Sequence, residues 1–590
     1  MSDTDLHELG LLGDGCGSAL VRADGTIEWC CLPRFDSGSC FGALLDGEQG
    51  GFCSIELDGS DAERGAARYA DGSLVHVVDL AGGAGRVRVE DALAPGKQRL
   101  ARVVHVLSGR CDVVVRIVAR FDYGQTRPWL HRHDEHRAWI VGGDDALIVS
   151  TDGTIVRCGD HELQVHARVG TGERLQVSIA SCRPEDAATL TADARCTAAA
   201  DIRDALSWTR RWWADAEAGT DDAAVVRSAL TLKALVYERT GAVVAAPTTS
   251  LTEALDGGRT WDYRYAWVRD ATWTSRALAA LGITGVGDAF SAFVMRASAG
   301  HADDMQVVYG VGGERRLHEH EVSLAGWRGV GPVRVGNAAE QQIQRDEAGE
   351  ILQQCRQRHE RGHRFDDDEW RFISRVLDRV ARHWHEPDRG FWELRGEPRQ
   401  FVYSKAACFA ALDAGLAIAA AQRPQASTAG WHEAREAARE TVLDAGFEVE
   451  RGVFRQAVGR PDLDATALLL PHTGVVEWTD PRMRSTVDVL ADALGEDGLL
   501  RRYDTVDGLP GREGCFLACS FWLAECLARQ GRLDAATEVF ERAMETASPL
   551  GLFSEEYDTR AGVAVGNYPQ ALTHLAHVSA AVALGRHRSD

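Results

Sequence analysis

Two short segments of the 590-residue chain combine carboxylates, aromatics and glycines: Asp388-Arg-Gly-Phe-Trp392-Glu393-Leu-Arg-Gly396 and Gly551-Leu-Phe-Ser-Glu555-Glu556-Tyr557-Asp558. An apolar neighbour disfavours the anion and raises a carboxyl pKa, as a general acid requires, and Trp392 directly precedes Glu393. Glycosidic-bond hydrolysis needs two carboxyl groups, and about 6.5–9.5 Å between them leaves room for the attacking water of an inverting mechanism. Either segment alone also reads as a solvated acidic turn. Convergence of Glu393 and Glu555 on one site is what would give the pair its chemistry.

A third segment, Trp261-Asp-Tyr263-Arg-Tyr-Ala-Trp-Val-Arg269-Asp270, packs aromatics around an Arg-Asp pair, with Trp273 following. Sugar rings have apolar faces and hydroxyl edges, so a sugar site needs aromatic platforms beside fork-like donors and carboxylate acceptors. The plainer reading is an ion pair at a helix N-terminus with its aromatics in the core. Further candidate substrate contacts are Trp327, Arg328, Arg334, Asn337, Asp464, Arg502 and Glu513. Each has a structural alternative, since Asp464 could only cap a helix and Arg502 could only pair with an acid. His318-Glu-His320 lacks the helical spacing of a zinc site, and no P-loop, dinucleotide fingerprint or serine elbow occurs, so neither metal nor cofactor is expected.

Elements that could hold these groups divide the chain in two. Up to about residue 185, short β-rich runs (Ser73–Leu80, Arg86–Ala92, Ala101–Leu107, Asp112–Phe121, Ala138–Val141, Ala146–Ser150, Glu162–Val169 and Leu175–Ala180) alternate with turn signals. That pattern predicts an antiparallel β-sandwich over residues 1–187, with a helical linker over 188–221. From 222 to 590, twelve helices are expected, at 223–240, 260–282, 285–300, 335–360, 366–386, 400–422, 427–447, 461–471, 480–494, 511–530, 533–547 and 567–586. Even-numbered ones are apolar or small on most faces, as in Cys515–Ala528, and odd ones are amphipathic, as in Glu369–Trp384. A helix apolar all round is buried, and one with a single stripe covers it from outside. The alternation therefore predicts an inner ring of six helices inside an outer ring of six. All the aromatic- and carboxylate-rich segments fall in odd-to-even loops, which such a barrel gathers at one end.

The formal net charge of −23 argues against nucleic-acid or anionic-membrane partners, and no apolar run of about 18 residues suggests a membrane span. The acidic start lacks a secretory leader pattern, and fourteen cysteines without a Cys-x-x-Cys pair read as buried thiols, so a cytoplasmic location is expected. A small-molecule carbohydrate is the expected partner, and a homo-oligomer is left open.

At these residues the sequence resembles glycoside hydrolase family 15, the glucoamylase family, in its bacterial form with a trehalase-like N-terminal domain. The likeness begins at Asp24-Gly-Thr-Ile-Glu-Trp-Cys-Cys-Leu-Pro-Arg-Phe-Asp36 and runs through WDYRYAWVRDA, GWRGVGPVRVGNAA, GFWELRGEPRQFVYSK, GREGCFLACSFWL and GLFSEEYD. Trp327 departs from the family pattern, where Tyr is common. The resemblance implies an (α/α)6 barrel and an inverting, exo-acting hydrolase that releases β-D-glucose from non-reducing α-glucosides such as malto- or isomaltooligosaccharides. It further implies Glu393 as general acid, Glu555 as general base, Arg269 and Asp270 as holders of the terminal glucose, and Arg502 near the scissile bond. The alternatives are α,α-trehalase on the same scaffold and a non-catalytic carbohydrate-binding protein.

Overall fold

The computed structural model describes residues 4–585 except 62–64, 83–84, 159, 217–219, 221, 299–302, 304 and 506. The expected ends of the third and twelfth barrel helices (299–300 and 586) and part of the linker lie outside the described residues.

Two antiparallel sheets face each other at the N-terminal end. One runs in the order Leu9–Gly13, Ser18–Arg22, Ile27–Cys31, Phe52–Leu57, Arg110–Val118, Leu163–Gly170, Thr154–Cys158. The other runs Trp129–Arg132, Arg137–Gly142, Asp145–Thr151, Arg174–Cys182, Arg99–Ser108, Gly85–Ala94, His76–Gly82, Ala67–Tyr69. Their inner faces meet in a core that includes Val89, Val104, Val115, Val165 and Val177. All eight strands expected after Ser73 are present. The strands before it were not expected, because Leu9–Gly13 and Ile27–Cys31 are buried at every position and show no alternation of apolar and polar residues. Their second face packs on the helical half, in a shared cluster of Leu9, Leu11, Trp29, Leu230, Trp327, Leu552 and Tyr568.

Helices Ala187–Asp193 and Ala198–Ala214 fill most of the expected linker. The second lies on the sandwich through Ala198, Ile202 and Ala205, with Asp201 paired to Lys97 and Arg99.

Eleven α-helices and one 3₁₀ segment take the twelve expected places. In order they are Ala223–Ala234, Val268–Ala280, Gly285–Ala297, Glu347–Glu360, Asp367–His383, Val402–Gln422, Ala429–Glu440, the 3₁₀ segment Ala465–Thr473, Pro481–Leu494, Leu517–Arg529, Leu533–Met544 and Ala571–Ala583. Each even member packs on the next, and the twelfth returns to the second, so the even helices close a ring. The odd ones lie outside it. In the fifth, for example, only the stripe Phe372, Ile373, Val376, Leu377, Val380 is buried, and Asp366 with Glu369 forms a capping box at its start. The sixth helix corrects one expectation, since its 21 residues are long and apolar enough to cross a bilayer; 78% of its apolar window is buried in the barrel. The eighth is 3₁₀ rather than α. Pro471 inside it has no N–H to continue an α ladder, and Gly474 ends it in the left-handed region (φ 76°).

Even helices start later than expected. The second begins at Val268 because residues 261–265 are extended and bond to 245–250, through Ala246 N to Tyr263 O (3.0 Å) and Ser250 N to Trp261 O (2.9 Å).

Close approach of the fourth and sixth helices depends on Gly349, where an added Cβ would lie 2.5 Å from the Ala407 carbonyl oxygen. Overpacking against backbone costs about 1–3 kcal/mol. Gly349→Ala should therefore lower the thermal unfolding midpoint measurably, and an unchanged midpoint would contradict this packing.

Candidate active site

Two adjoining cavities open at the end of the barrel where the odd-to-even loops emerge. The inner one is lined by Ala245, Tyr263, Trp267, Arg269, Asp270, Phe391, Trp392, Glu393, Arg502, Phe516, Glu555, Gln570 and Leu572. The walls of the outer one include Trp261, Asn337, Gln342, Arg395, Tyr503, Asp507 and Leu509. Tyr263, Trp392, Glu393 and Arg502 border both. Glu393 and Glu555, distant in sequence, therefore meet in one cavity, with Glu393 at its junction with the next.

Glu393 sits at φ 59°, a left-handed conformation uncommon outside glycine and often found at functional positions. Its Oε1 accepts from the Trp267 indole (2.6 Å) and from Arg269 Nη2 (3.2 Å), while Gln342 donates to its carbonyl (3.2 Å). Arg269 is in turn fixed by the Phe391 carbonyl (2.6 Å) and lies over the Phe391 ring at 4.4 Å. Its Nε is 3.3 Å from Asp270 Oδ2. Asp270 is buried, its carboxyl pushed upward by that burial against the pull of Arg269, and Oδ2 accepts no hydrogen bond from the protein. A buried acceptor of this kind facing a cavity is ready for a ligand hydroxyl.

Glu555 is 1% exposed. Its Oε2 accepts from the Asn567 amide at 3.3 Å and its Oε1 is unpartnered. Burial first, then the nearby Glu253, raises its pKa well above the carboxylate range; Arg502 and the Tyr263 hydroxyl pull the other way. The upward push on Glu555 follows from its being dry and close to another acid. Gly566 (φ 77°) makes the dry packing feasible, since a Cβ there would lie 2.6 Å from Glu555 Oε2.

Arg502 anchors the opposite wall. It donates from Nε to Glu513 (2.8 Å) and from Nη2 to Glu253 (2.9 Å), and its guanidinium lies 5.7 Å from the Trp392 ring centre. Glu513 is half-buried, and although that burial pushes its carboxyl up, Arg502 and then Arg259 hold it below the ordinary range. Glu253, raised by burial to about 7, had no motif to mark it in the sequence. Trp267 was also missed, although it lies in the motif that carries Arg269, because nothing local distinguishes an indole aimed at a carboxylate from a core tryptophan.

Of four further candidates, three act behind the surface. Asp464 caps the eighth helix through Thr466 N (2.7 Å), the structural alternative to a substrate contact, and also holds the Trp392 indole (2.8 Å) without lining either cavity. Arg334 reaches the Thr260 carbonyl (2.8 Å) and lies over Trp261, which Arg395 covers from 4.2 Å. Glu513 fixes Arg502, and Asn337, which does line the outer cavity, also caps a short 3₁₀ turn. Trp327 and Arg328 are corrections. Trp327 is 0% exposed and donates to the Thr4 carbonyl (2.9 Å), and Arg328 packs over its ring at 4.7 Å. Trp327 belongs to the contact with the N-terminal half, because an indole is large enough to span that interface and finds its acceptor there, and Arg328 lines neither cavity.

The Trp267 donor to Glu393 is a neutral donor to a carboxyl, worth about 1.5–3 kcal/mol when the group is charged. Trp267→Phe should thus cut kcat/KM for glycoside hydrolysis by about tenfold or more with the fold intact by circular dichroism; unchanged kinetics would show that Glu393 needs no such anchor.

Comparison with known proteins agrees with this geometry. Residues 219–582 match the model of glycosyl hydrolases family 15, and residues 2–188 match that of the trehalase-like N-terminal region. A trehalase from Mycolicibacterium smegmatis is 36% identical over 612 residues, covering 98% of this chain and 91% of that protein. One from Thermoplasma volcanium is 31% identical over 575 residues, covering 96% and 91%. A bacterial glucoamylase solved with acarbose superposes with a TM-score of 0.74 at 13% identity, covering 99% of this chain and 94% of that one, which shows the same sandwich-plus-barrel fold. With a family match over most of its helical half and relatives of this identity along nearly its whole length, the chain belongs to glycosyl hydrolases family 15 and is a glycoside hydrolase.

Proposed function

We propose that this glycoside hydrolase is an inverting α,α-trehalase, cleaving trehalose into two glucose molecules. The observation that carries the reading is the pair of cavities joined at Glu393, one compartment for each sugar of a disaccharide with the acid between them. Supporting it, the curated relatives that align along nearly the whole chain are named trehalases, which favours the trehalose alternative over the short α-glucans first expected.

In this reading one glucosyl unit occupies the inner cavity, with hydroxyls on Asp270 Oδ2 and Arg269. Glu393, at the junction, gives its proton to the glycosidic oxygen as the second glucose leaves into the outer cavity. Glu555, at the inner wall, takes a proton from water as that water attacks the anomeric carbon from the opposite face. Aromatic walls from Trp392, Phe516 and Tyr263 exclude bulk water and strengthen each of these charge interactions.

Glucose release measured across trehalose, maltose, isomaltose and soluble starch should show the highest kcat/KM on trehalose, and a preference for maltose or starch would return the assignment to glucoamylase. Glu555→Gln should keep substrate binding and lose nearly all turnover. A base must be ionised to work, and burial beside Glu253 raises Glu555. The acidic limb of the kcat/KM profile should therefore fall above the ordinary glutamate range, activity disappearing as pH drops through that raised value. A limb at about pH 4 would contradict the role.

A further inference from the structure

Residues 261–265 form an extended segment whose side chains alternate between two environments. Trp261 and Tyr263 line the cavities. Asp262 and Arg264 point the other way and are fully buried. Their ion pair is bidentate, from Arg264 Nε to Asp262 Oδ1 (2.8 Å) and from Nη2 to Oδ2 (2.6 Å). The remaining guanidinium donors are satisfied by the sandwich: Nη1 by the Ser37 carbonyl (2.8 Å) and Nη2 by the Tyr123 hydroxyl (2.6 Å). The Tyr123 ring centre lies 5.2 Å from the same guanidinium. The neighbouring segment, which bonds to this one through Ala246 N and Tyr263 O, is held by the sandwich as well, through the Trp29 indole and the Pro247 carbonyl (2.8 Å).

We propose that the N-terminal sandwich is a working part of the active site, with Tyr123 acting through Arg264 as a positioning residue for Tyr263. Tyr263 lines the inner cavity together with Glu555 and pulls that carboxyl downward, so the sandwich sets the wall beside the base. The geometry is specific. A guanidinium with a rigid planar fork, saturated on one side by Asp262 and on the other by Ser37 and Tyr123, has one orientation, and the peptide between Asp262 and Arg264 carries Tyr263. Asp262 extends the hub to the third barrel loop, taking the Gly336 amide (3.2 Å) while its carbonyl takes the Asn337 side chain (3.2 Å). A sandwich serving only as solubilising bulk would not need to complete the hydrogen bonding of a residue adjacent to a cavity wall.

The inference rests on Glu555 as the base, and the test separates the two. Tyr123→Phe keeps the ring and removes only the hydroxyl that accepts from Arg264. In the full-length enzyme it should lower kcat on trehalose by about tenfold, as small misplacements of a reacting group do, with KM within about twofold. Loosening Tyr263 in the wall weakens its support of the Glu555 anion against burial and Glu253, so the acidic limb of kcat should move to higher pH. Tyr263→Phe should give the same shift, and the double variant should be no worse than Tyr263→Phe alone. Full kcat in Tyr123→Phe, or losses that multiply in the double variant, would overturn the proposal. If Tyr123→Phe does not fold, Trp29→Phe, which releases the Pro247 carbonyl and trims the ring beside Arg264, should lower kcat with the same shift of the limb, and wild-type kinetics there would overturn it equally. An active Glu555→Gln would instead remove the assignment of the base.

Discussion

At the barrel mouth, the buried carboxyl groups of Glu253, Glu555 and Glu556 and the half-buried one of Glu513 gather around the guanidinium of Arg502. One cation cannot offset so many anions in a dry site, where even a single unpaired charge costs several kcal/mol. The imbalance appears in where protons stay. Glu513, shared by Arg502 and Arg259, is held low, whereas Glu253, Glu555 and Glu556 are all pushed up by burial. These groups titrate as a set, so the proton on the base depends on its neighbours as much as on its own surroundings. Arg502 is also what places the aromatic wall, lying among the rings of Trp392, Tyr503 and Phe516. The charge cluster and the apolar wall around the inner cavity are therefore one construction.

Such a site needs loops from distant parts of the chain held to a fraction of an ångström, and the closed ring of even helices supplies the frame. Asp464 shows how the frame is used. It caps the eighth helix and by the same carboxylate fixes Trp392, so a local helix-start requirement also sets one wall of both cavities. The sandwich contributes at the opposite wall through the buried Asp262–Arg264 pair.

Much of this was legible in the chain. Helix period and the alternation of all-apolar with striped helices gave the twelve places and their inner or outer position, because burial on all sides leaves a plain compositional mark. Helix starts were misjudged where an extended loop rich in buried aromatics runs straight into the helix, as at Trp261–Trp267. Strands buried on both faces, such as Ile27–Cys31, carry no alternation to read. Among candidate site residues, Glu393, Glu555, Arg269 and Asp270 stood out as carboxylates and an arginine set among aromatics, and the fold brings all four to the inner cavity. Glu253 was not, since an acidic residue in Thr252-Glu253-Ala254 looks like any surface acid until Arg502 arrives from the other end of the barrel. Trp327 was misassigned for the converse reason: an aromatic beside Arg-Gly in a functional loop resembles a platform, and only the tertiary fold shows it plugged against Thr4.

In the proposed reaction two carboxyl groups, Glu393 and Glu555, work from opposite faces of the glucosyl unit in the inner cavity, with no covalent intermediate between them. Trehalose reports on this directly, because its two halves are both α-linked and leave by different routes. Attack by water inverts the sugar in the inner cavity and leaves the departing one unchanged. Proton NMR of the first-formed products, recorded before mutarotation, should show β- and α-glucose in equal amounts, whereas α-glucose alone would mean a retaining reaction and a different division of labour between the two glutamates.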